Sequence, residues 1–224
     1  MATNVIKPLL AMRKVTFILF LVLFTAASFV SGPGTTPVSP LAIYSAEWNN
    51  PRYLKCNSAK DASYMTGPEK EVIHILNLLR ANPVLFANTV VKQYPEKSGQ
   101  GYLVNSWYYT SLLDTLKKIK PIAGLKPDIN CFNSAECHAL YAGATGYVGH
   151  ERSTQECQSK KYFNGECCDY GNKEPLDIVM SLLIDEGVPS LGHRDVCLSS
   201  YKKIGVSIQA HQRYGYNAVL DLSY

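Results

Sequence analysis

Four side chains in the second half of the chain have the chemistry of a metal site or of an acid–base pair: His150, Glu166, Asp185 and His193. Two neutral imidazoles with one or two carboxylates suit a divalent metal such as Zn²⁺, or serve as a His/acid pair for proton transfer. Simpler roles compete when each residue is taken alone. His150 after Gly149 has the setting of an ordinary loop histidine, and His193 suits a buried hydrogen-bonding hub as well as a ligand. Glu166 is equally explained as a turn cap, and Asp185 near a helix end is by default a solvated acid.

A nucleophile to accompany these groups is not evident. The sequence contains neither a Gly-x-Ser-x-Gly elbow nor a His-Glu-x-x-His helix. Ser153, Ser190 and Ser199 lie near the four residues in sequence, but no pattern marks any of them. We expect the cysteines to be oxidised, which removes them as thiolate nucleophiles. The sequence therefore favours binding over catalysis, and an extracellular hydrolase that uses metal-assisted or acid–base chemistry is the second hypothesis.

The elements that must position these residues are helices first and strands last, a pattern typical of an α+β fold. Thr66 and Glu69 form a capping box, so a helix is expected from there to about Arg80. Residues 144–173 have the composition of a long functional or disulfide-tied loop. Residues 204–210 and 216–223 are expected to form an antiparallel hairpin. Further helices are predicted from Asn82, over 106–119, from Asp128 or Asn130 to near Gly143, and over 174–186, where Gly187 closes the helix.

The first 31 residues have the pattern of a secretory signal peptide. Residues 15–30 carry no charge, and we expect secretion followed by cleavage, with no membrane span in the mature chain. An uncleaved anchor is the alternative, although a run of about 16 residues is shorter than the ~20 that a spanning helix needs. Residues 32–66 are expected to be a linker and an N-terminal extension, before a domain at 67–224. The basic start consists of Lys7, Arg13 and Lys14, and the small residues at the cleavage site are Ala26, Ala27 and Ser28.

Composition and charge restrict the classes of function. Hydrophobic residues make up 46% of the chain and charged residues 18%, which is ample apolar material for a core. The formal net charge is +4, but the signal segment holds three basic residues and no acid, so cleavage reduces it to +1. Binding to a nucleic-acid backbone is therefore not expected. We expect a monomer.

Seven cysteines behind a signal peptide indicate disulfides formed in an oxidising compartment. The odd number leaves at least one thiol unpaired within the chain, and the pairing cannot be deduced from the spacing. The neighbours Cys167 and Cys168 are expected to reach different partners, because a bridge between adjacent residues is strained. The seven are Cys56, Cys131, Cys137, Cys157, Cys167, Cys168 and Cys197.

The order of motifs resembles the CAP superfamily, which includes cysteine-rich secretory proteins, antigen 5 and plant pathogenesis-related proteins. The resemblance covers residues 67–224, and its most specific part is the late Gly-His-Arg followed by an Ile-Gly-Val strand. The family's Gly-Glu-Asn occurs here as Gly-Glu-Cys, which is a departure. The motifs are LNLLRANP, LKPDINCFNSAECHA, GHER, GEC, an apolar helix ending IDEG, LGHRDVCLSSYKKIGVSI and YNAVLDLSY.

The resemblance implies an α-β-α sandwich with a small antiparallel sheet, and a cleft lined by two histidines and two acids. Carried over position by position, these are His150, Glu166, Asp185 and His193, which would be the metal ligands. Many relatives have a Trp three residues before the second acid, and this chain lacks it, so Glu186 is the runner-up. On a helical wheel Asp185 lies on the polar side of its helix, which favours it.

The function implied is that of a secreted, disulfide-stabilised binding or interaction module that requires no cofactor. Its cleft is expected to take a divalent metal, with zinc as the first candidate. The family also implies a lipid, a sterol or an extracellular protein as partner, although the sequence itself shows no amphipathic groove. A structural scaffold is the third hypothesis, beside the hydrolase.

Overall fold

The computed structural model describes residues 38–224 and confirms the α+β fold. The expected signal peptide, with residues 32–37 of the expected linker, lies outside the described residues. A π-helical turn over Ala87–Val91 joins two of the helices. The α-helices are α1 (Pro51–Leu54), α2 (Gly67–Ala81), α3 (Pro83–Phe86), α4 (Lys92–Lys97), α5 (Trp107–Lys118), α6 (Ile129–Thr145), α7 (Gln155–Lys160), α8 (Pro175–Ile184) and α9 (Gly192–Leu198).

Four strands form one sheet in the order β1-β3-β4-β2, with β1 at Lys126–Pro127, β2 at Gly165–Tyr170, β3 at Lys203–His211 and β4 at Gly215–Ser223. Strands β3 and β4 form the predicted antiparallel hairpin, and β2 runs antiparallel to the other side of β4. The two-residue strand β1 pairs in parallel with β3, so the sheet is mixed.

Strand β2 lies inside the segment that the sequence indicated to be a loop. Its first five residues are all buried, because helices cover both faces of the sheet at this edge. A strand buried on both faces shows no alternation of polar and apolar residues. The sequence Gly-Glu-Cys-Cys-Asp-Tyr therefore carries no period-two signal, and only the pairing with β4 defines it as a strand.

Helices pack on both faces of the sheet, as expected for an α-β-α sandwich. On one face α6 lies along β3 and β4, and Ala135 and Ala139 contact Val219. On the other face α2 packs against β3, α8 and α9 pack against β2, and Leu220 joins the main core. Neighbouring residues of β4 thus enter different layers, as a pleated strand requires.

Glycine permits the close approach of α6 to β3. A Cβ atom on Gly205 would lie 2.0 Å from the backbone nitrogen of Phe132, a distance that real Cβ contacts do not reach. A Cβ atom on Gly143 would lie equally close to the carbonyl oxygen of Ala210. The helix therefore rests directly on the strand's backbone at both points, and this contact fixes the start of the loop that carries His150.

Residues ahead of α2 also contribute to the main core. Leu41, Trp48 and Tyr53 are buried in the same cluster as α2 and α8. The indole Nε1 of Trp48 donates a hydrogen bond to the hydroxyl of Thr89 at 3.1 Å, which satisfies its polar edge. Residues 38–66, the described part of the expected linker and extension, therefore contribute side chains to the core.

A disulfide joins Cys137 of α6 to Cys157 of α7. This bond agrees with the prediction that the chain contains disulfides. None of the helices within residues 38–224 is long and apolar enough to cross a membrane. The other cysteines carry thiols in this structure: Cys56, Cys131, Cys167, Cys168 and Cys197.

Candidate functional site

His150 and Glu166 form the first of two His–carboxylate pairs. Nδ1 of His150 lies 2.9 Å from Oε1 of Glu166. His150 follows Gly149 on the loop after α6, whereas Glu166 is the second residue of β2. The side chain of His150 is 55% exposed and that of Glu166 is 3% exposed, so a buried carboxylate holds an accessible imidazole.

His193 and Asp185 form the second pair, at the joint between α8 and α9. Nδ1 of His193 lies 2.7 Å from Oδ1 of Asp185, and the backbone N–H of His193 donates to Oδ2 at 2.9 Å. Asp185 has φ 58°, a left-handed conformation, and its own N–H caps α8 by donating to the carbonyl of Ser181. The runner-up acid, Glu186, is exposed and accepts a hydrogen bond from Ser106.

Arg194 anchors this joint from inside the fold. Its guanidinium is buried and donates to the carbonyl oxygens of Leu183 and Ile184, the last residues of α8. These contacts satisfy carbonyl groups that the end of a helix leaves without partners. Arg194 therefore holds the end of α8 against the start of α9, where Asp185 and His193 meet.

The structure thus brings together all four of the residues that the sequence singled out. The ring centres of His150 and His193 are 6.0 Å apart, and the ring planes are inclined by 34°. An ionised carboxylate can only accept hydrogen bonds, so each Nδ1 must carry a proton. In a neutral imidazole the other nitrogen, Nε2, then has a free lone pair. Both histidines are therefore held in the tautomer that can bind a metal or accept a proton through Nε2.

A buried cluster lies behind the first pair. The guanidinium of Arg152 donates to Glu166 and, at 3.1 Å, to Oδ2 of Asp221. Burial alone would raise the pKa of Glu166, but hydrogen bonds from His150 and Arg152 outweigh it and lower this pKa. Burial and the neighbouring Glu166 charge instead raise the pKa of Asp221. Glu166 is therefore the carboxylate favoured to carry the negative charge beside His150, and ionisation of Asp221 is made less favourable by the same cluster.

Arg152 and Asp221 are not among the residues that the sequence pattern singled out. Arg152 is the last residue of the GHER motif, two positions after His150. Asp221 interrupts an otherwise apolar run in β4, and its side chain is fully buried. An acid within a strand core is a signal for a buried ionic partner, because burying an unpaired charge is costly.

A second group of potential ligands shares Glu166. One ligand atom from each of His138, Glu166 and Cys168 lies within 4.8 Å of the others, and this group could hold a metal ion. His138 is fully buried, and its Nε2 lies 2.8 Å from the carbonyl oxygen of Gly149. Burial, followed by the charge of Arg152, lowers the pKa of His138, which keeps its imidazole neutral. Of the four predicted ligands, only Glu166 belongs to this group.

A cavity of about 260 Å³ adjoins the second pair. His193 and Asp185 line it, and so does Asp169, which is 3% exposed. Burial raises the pKa of Asp169, against hydrogen bonds from Ser181 and Asn172 that lower it. Asp177 and Glu186 add carboxylates, and no Lys or Arg is among the described residues that line the cavity. A cavity of this character suits cationic or strongly polar ligands.

Comparison with known proteins gave no relative for this chain. No family model, no curated protein and no solved structure matches it. The resemblance to the CAP superfamily therefore stays a prediction based on the sequence motifs, and the geometry of the site carries the functional argument.

Proposed function

We propose that the chain is a secreted, CAP-like binding module that holds a divalent metal through His150 and His193. The observation that carries this proposal is that each imidazole donates its Nδ1 proton to a buried carboxylate, at 2.9 Å and 2.7 Å. Pairs of this kind orient histidine ligands in metal sites and increase their basicity. The metal, when bound, would supply Lewis acidity or a bridge to a partner.

The separation of the two rings is close to the one that this role requires. Each Zn–N bond is about 2.0–2.1 Å, so two imidazoles on one tetrahedral ion have ring centres roughly 5 Å apart. The observed separation is 6.0 Å, so binding would draw the two rings closer together by about 1 Å. Two protein ligands leave positions for water or for a group from a partner, which favours an open site over a closed structural one.

Glu166 and Asp185 support the histidines in this proposal, and we do not assign them as direct ligands. Oε1 of Glu166 is engaged by His150 and Oε2 by Arg152, so both of its oxygens have donors. Both oxygens of Asp185 are likewise engaged by His193. The predicted set of four ligands thereby becomes two ligands and two residues that orient them.

The competing group of His138, Glu166 and Cys168 is less favourable for a cation. All three residues are buried, and the guanidinium of Arg152 forms an ion pair with the carboxylate of Glu166. This positive charge would repel a metal ion at the same carboxylate. Burial also raises the pKa of Cys168, so its thiol resists forming the thiolate that binds metals. His150, by contrast, is exposed to solvent.

The cavity beside His193 supports a second candidate, acid–base hydrolysis of a polar substrate. An imidazole oriented by a carboxylate at the edge of a cavity is the arrangement of a general base. Turnover of an extracellular substrate that is lost in His193→Ala but retained in a metal-free protein would favour this candidate. The acidic lining makes a lipid or sterol a poorer fit than a cationic or polyhydroxylated ligand.

The experiment is calorimetric titration of Zn²⁺ into the tag-free secreted protein. We expect a single site in the wild type and in Cys168→Ser, a variant that disables the competing group. We expect no such site in the double variant His150→Ala, His193→Ala. Circular dichroism checks that each variant is folded. Binding retained by the double variant, or lost in Cys168→Ser alone, would overturn the assignment.

A further inference from the structure

The two adjacent cysteines of β2 face different layers of the fold. Cys168 packs with Ala135 and Ala139 of α6, and its Sγ lies 3.7 Å from Nδ1 of His150. Cys167 belongs to the main core on the opposite face, where its Sγ lies 3.6 Å from the carbonyl oxygen of His193. This alternation follows from the strand's pleat, and it prevents the two side chains from meeting.

Cys197 of α9 lies on the same side as Cys167. Both side chains are fully buried in the main core, and α9 packs against β2. Sγ of Cys167 contacts the carbonyl oxygen of His193, and Cys197 follows His193 by four residues, about one helical turn, so Cys167 packs on the turn of α9 that carries Cys197. Cys56 is half-buried, and its Sγ contacts the carbonyl oxygen of Arg52 at 3.7 Å.

We propose that Cys167 and Cys197 form a second disulfide, which joins β2 to α9 behind the two His–carboxylate pairs. Cys167 directly follows Glu166, and Cys197 lies on the helix that begins beside His193. The bond would therefore tie the strand that carries one pair to the helix that carries the other. The cross-link itself is independent of metal binding, because it rests only on the position of the two thiols.

The chemistry is thiol–disulfide exchange with a disulfide oxidant of the secretory compartment. The thiolate of Cys167 attacks the oxidant's disulfide, and one oxidant sulfur leaves as a thiolate. The thiolate of Cys197 then attacks the Cys167 sulfur of the mixed disulfide, and the second oxidant sulfur leaves. Two protein S–H groups become one S–S bond, and the oxidant takes up the two electrons and two protons as two thiols.

Burial determines when this exchange occurs. Both side chains are fully buried in the folded protein. A buried thiol reacts poorly with an external disulfide, because the exchange requires access of one sulfur to the other. The bond therefore forms before the core closes, and in the folded protein it resists reductants that do not unfold the chain.

The test is disulfide mapping of protein recovered from an oxidising compartment. Thiols are alkylated in denaturant without reductant, and the protein is digested with trypsin. Cys167 and Cys168 lie on one tryptic peptide, residues 162–173, and Cys197 lies on another, residues 195–202. We expect these two peptides to be linked in the wild type and in Cys168→Ser, and to be separate in Cys167→Ser.

The disulfide between Cys137 and Cys157 serves as an internal control for oxidation. If Cys137 and Cys157 are linked while Cys167 and Cys197 are both alkylated, the proposal is wrong. A linkage that persists in Cys167→Ser but disappears in Cys168→Ser would also overturn it. If Cys167→Ser does not fold, fragmentation of the linked wild-type peptide identifies which of the two adjacent cysteines carries the bond.

Discussion

Replacing Asp185 by Asn tests how the second pair prepares its imidazole. Asn has the shape of Asp and tolerates the left-handed conformation of this position, φ 58°, so the fold should be kept. One oxygen of the side chain can still accept from the backbone N–H of His193. The other oxygen becomes an NH₂ group that faces Nδ1 of the imidazole.

An NH₂ group donates, so the neutral imidazole must accept at Nδ1 and carry its proton on Nε2. That tautomer has no lone pair at the nitrogen that we assign to the metal. Loss of a carboxylate partner to a metal-binding histidine typically weakens binding about 10–100-fold, or about 1.4–2.7 kcal/mol. We expect Asp185→Asn to weaken Zn²⁺ binding by this factor.

The assay is calorimetric titration of Zn²⁺, combined with NMR of ¹⁵N-labelled histidine to identify the tautomer of His193. Glu186→Gln is the matched control, because it makes the same chemical change one residue along, at an exposed side chain. The control should bind like the wild type. Equal affinity for Zn²⁺ in Asp185→Asn and Glu186→Gln, with His193 still protonated at Nδ1, would refute the reasoning.

Three further predictions concern stability. Asp128 caps α6 by accepting hydrogen bonds from the N–H groups of Asn130 and Cys131. Asp128→Ala should therefore lower the free energy of unfolding by about 1 kcal/mol in a urea titration, and an unchanged midpoint would contradict this. Gly205→Ala should lower the free energy of unfolding by about 3 kcal/mol or more, because the added Cβ would overlap the backbone of α6. Wild-type stability in the same assay would show that α6 can shift away. Burial lowers the pKa of His74 below 6.5, so unfolding takes up a proton and stability falls as pH decreases through that range, by up to about 1.4 kcal/mol per pH unit. His74→Gln should reduce this slope, and identical slopes in urea titrations from about pH 7 to pH 5 would rule the effect out.

Elements with a strong local signal were predictable from the sequence. The capping box of Thr66 and Glu69 begins α2 as expected, because both partners lie within one turn of the helix. The hairpin of β3 and β4 was also predicted, since its runs are long and its connection is short. Strand β2 was not, because its burial on both faces removes the alternation by which a strand is recognised.

Asp185 shows how local reasoning can identify a residue for an incorrect reason. The helical wheel favoured Asp185 over Glu186 on the premise that the helix continues through both residues. The helix ends at Ile184, and Asp185 turns into the left-handed region instead. Its carboxylate reaches His193 because of this turn, which a helical period cannot describe.

The partners of Glu166 depend on contacts between distant parts of the chain. Arg152 and Asp221 are 69 residues apart, yet they share one buried hydrogen bond. Sequence spacing contains no information on such a pairing when no aligned relatives are compared. The same holds for Cys167 and Cys197, whose proximity follows from the packing of α9 on β2.

The most direct test of the metal site is anomalous X-ray diffraction at the zinc edge from crystals grown with Zn²⁺. We predict one strong anomalous peak about 2.0–2.1 Å from Nε2 of both His150 and His193. A peak within bonding distance of Sγ of Cys168 and of the imidazole of His138 would contradict the account. So would crystals in which His150 and His193 are ordered and no anomalous peak lies between them.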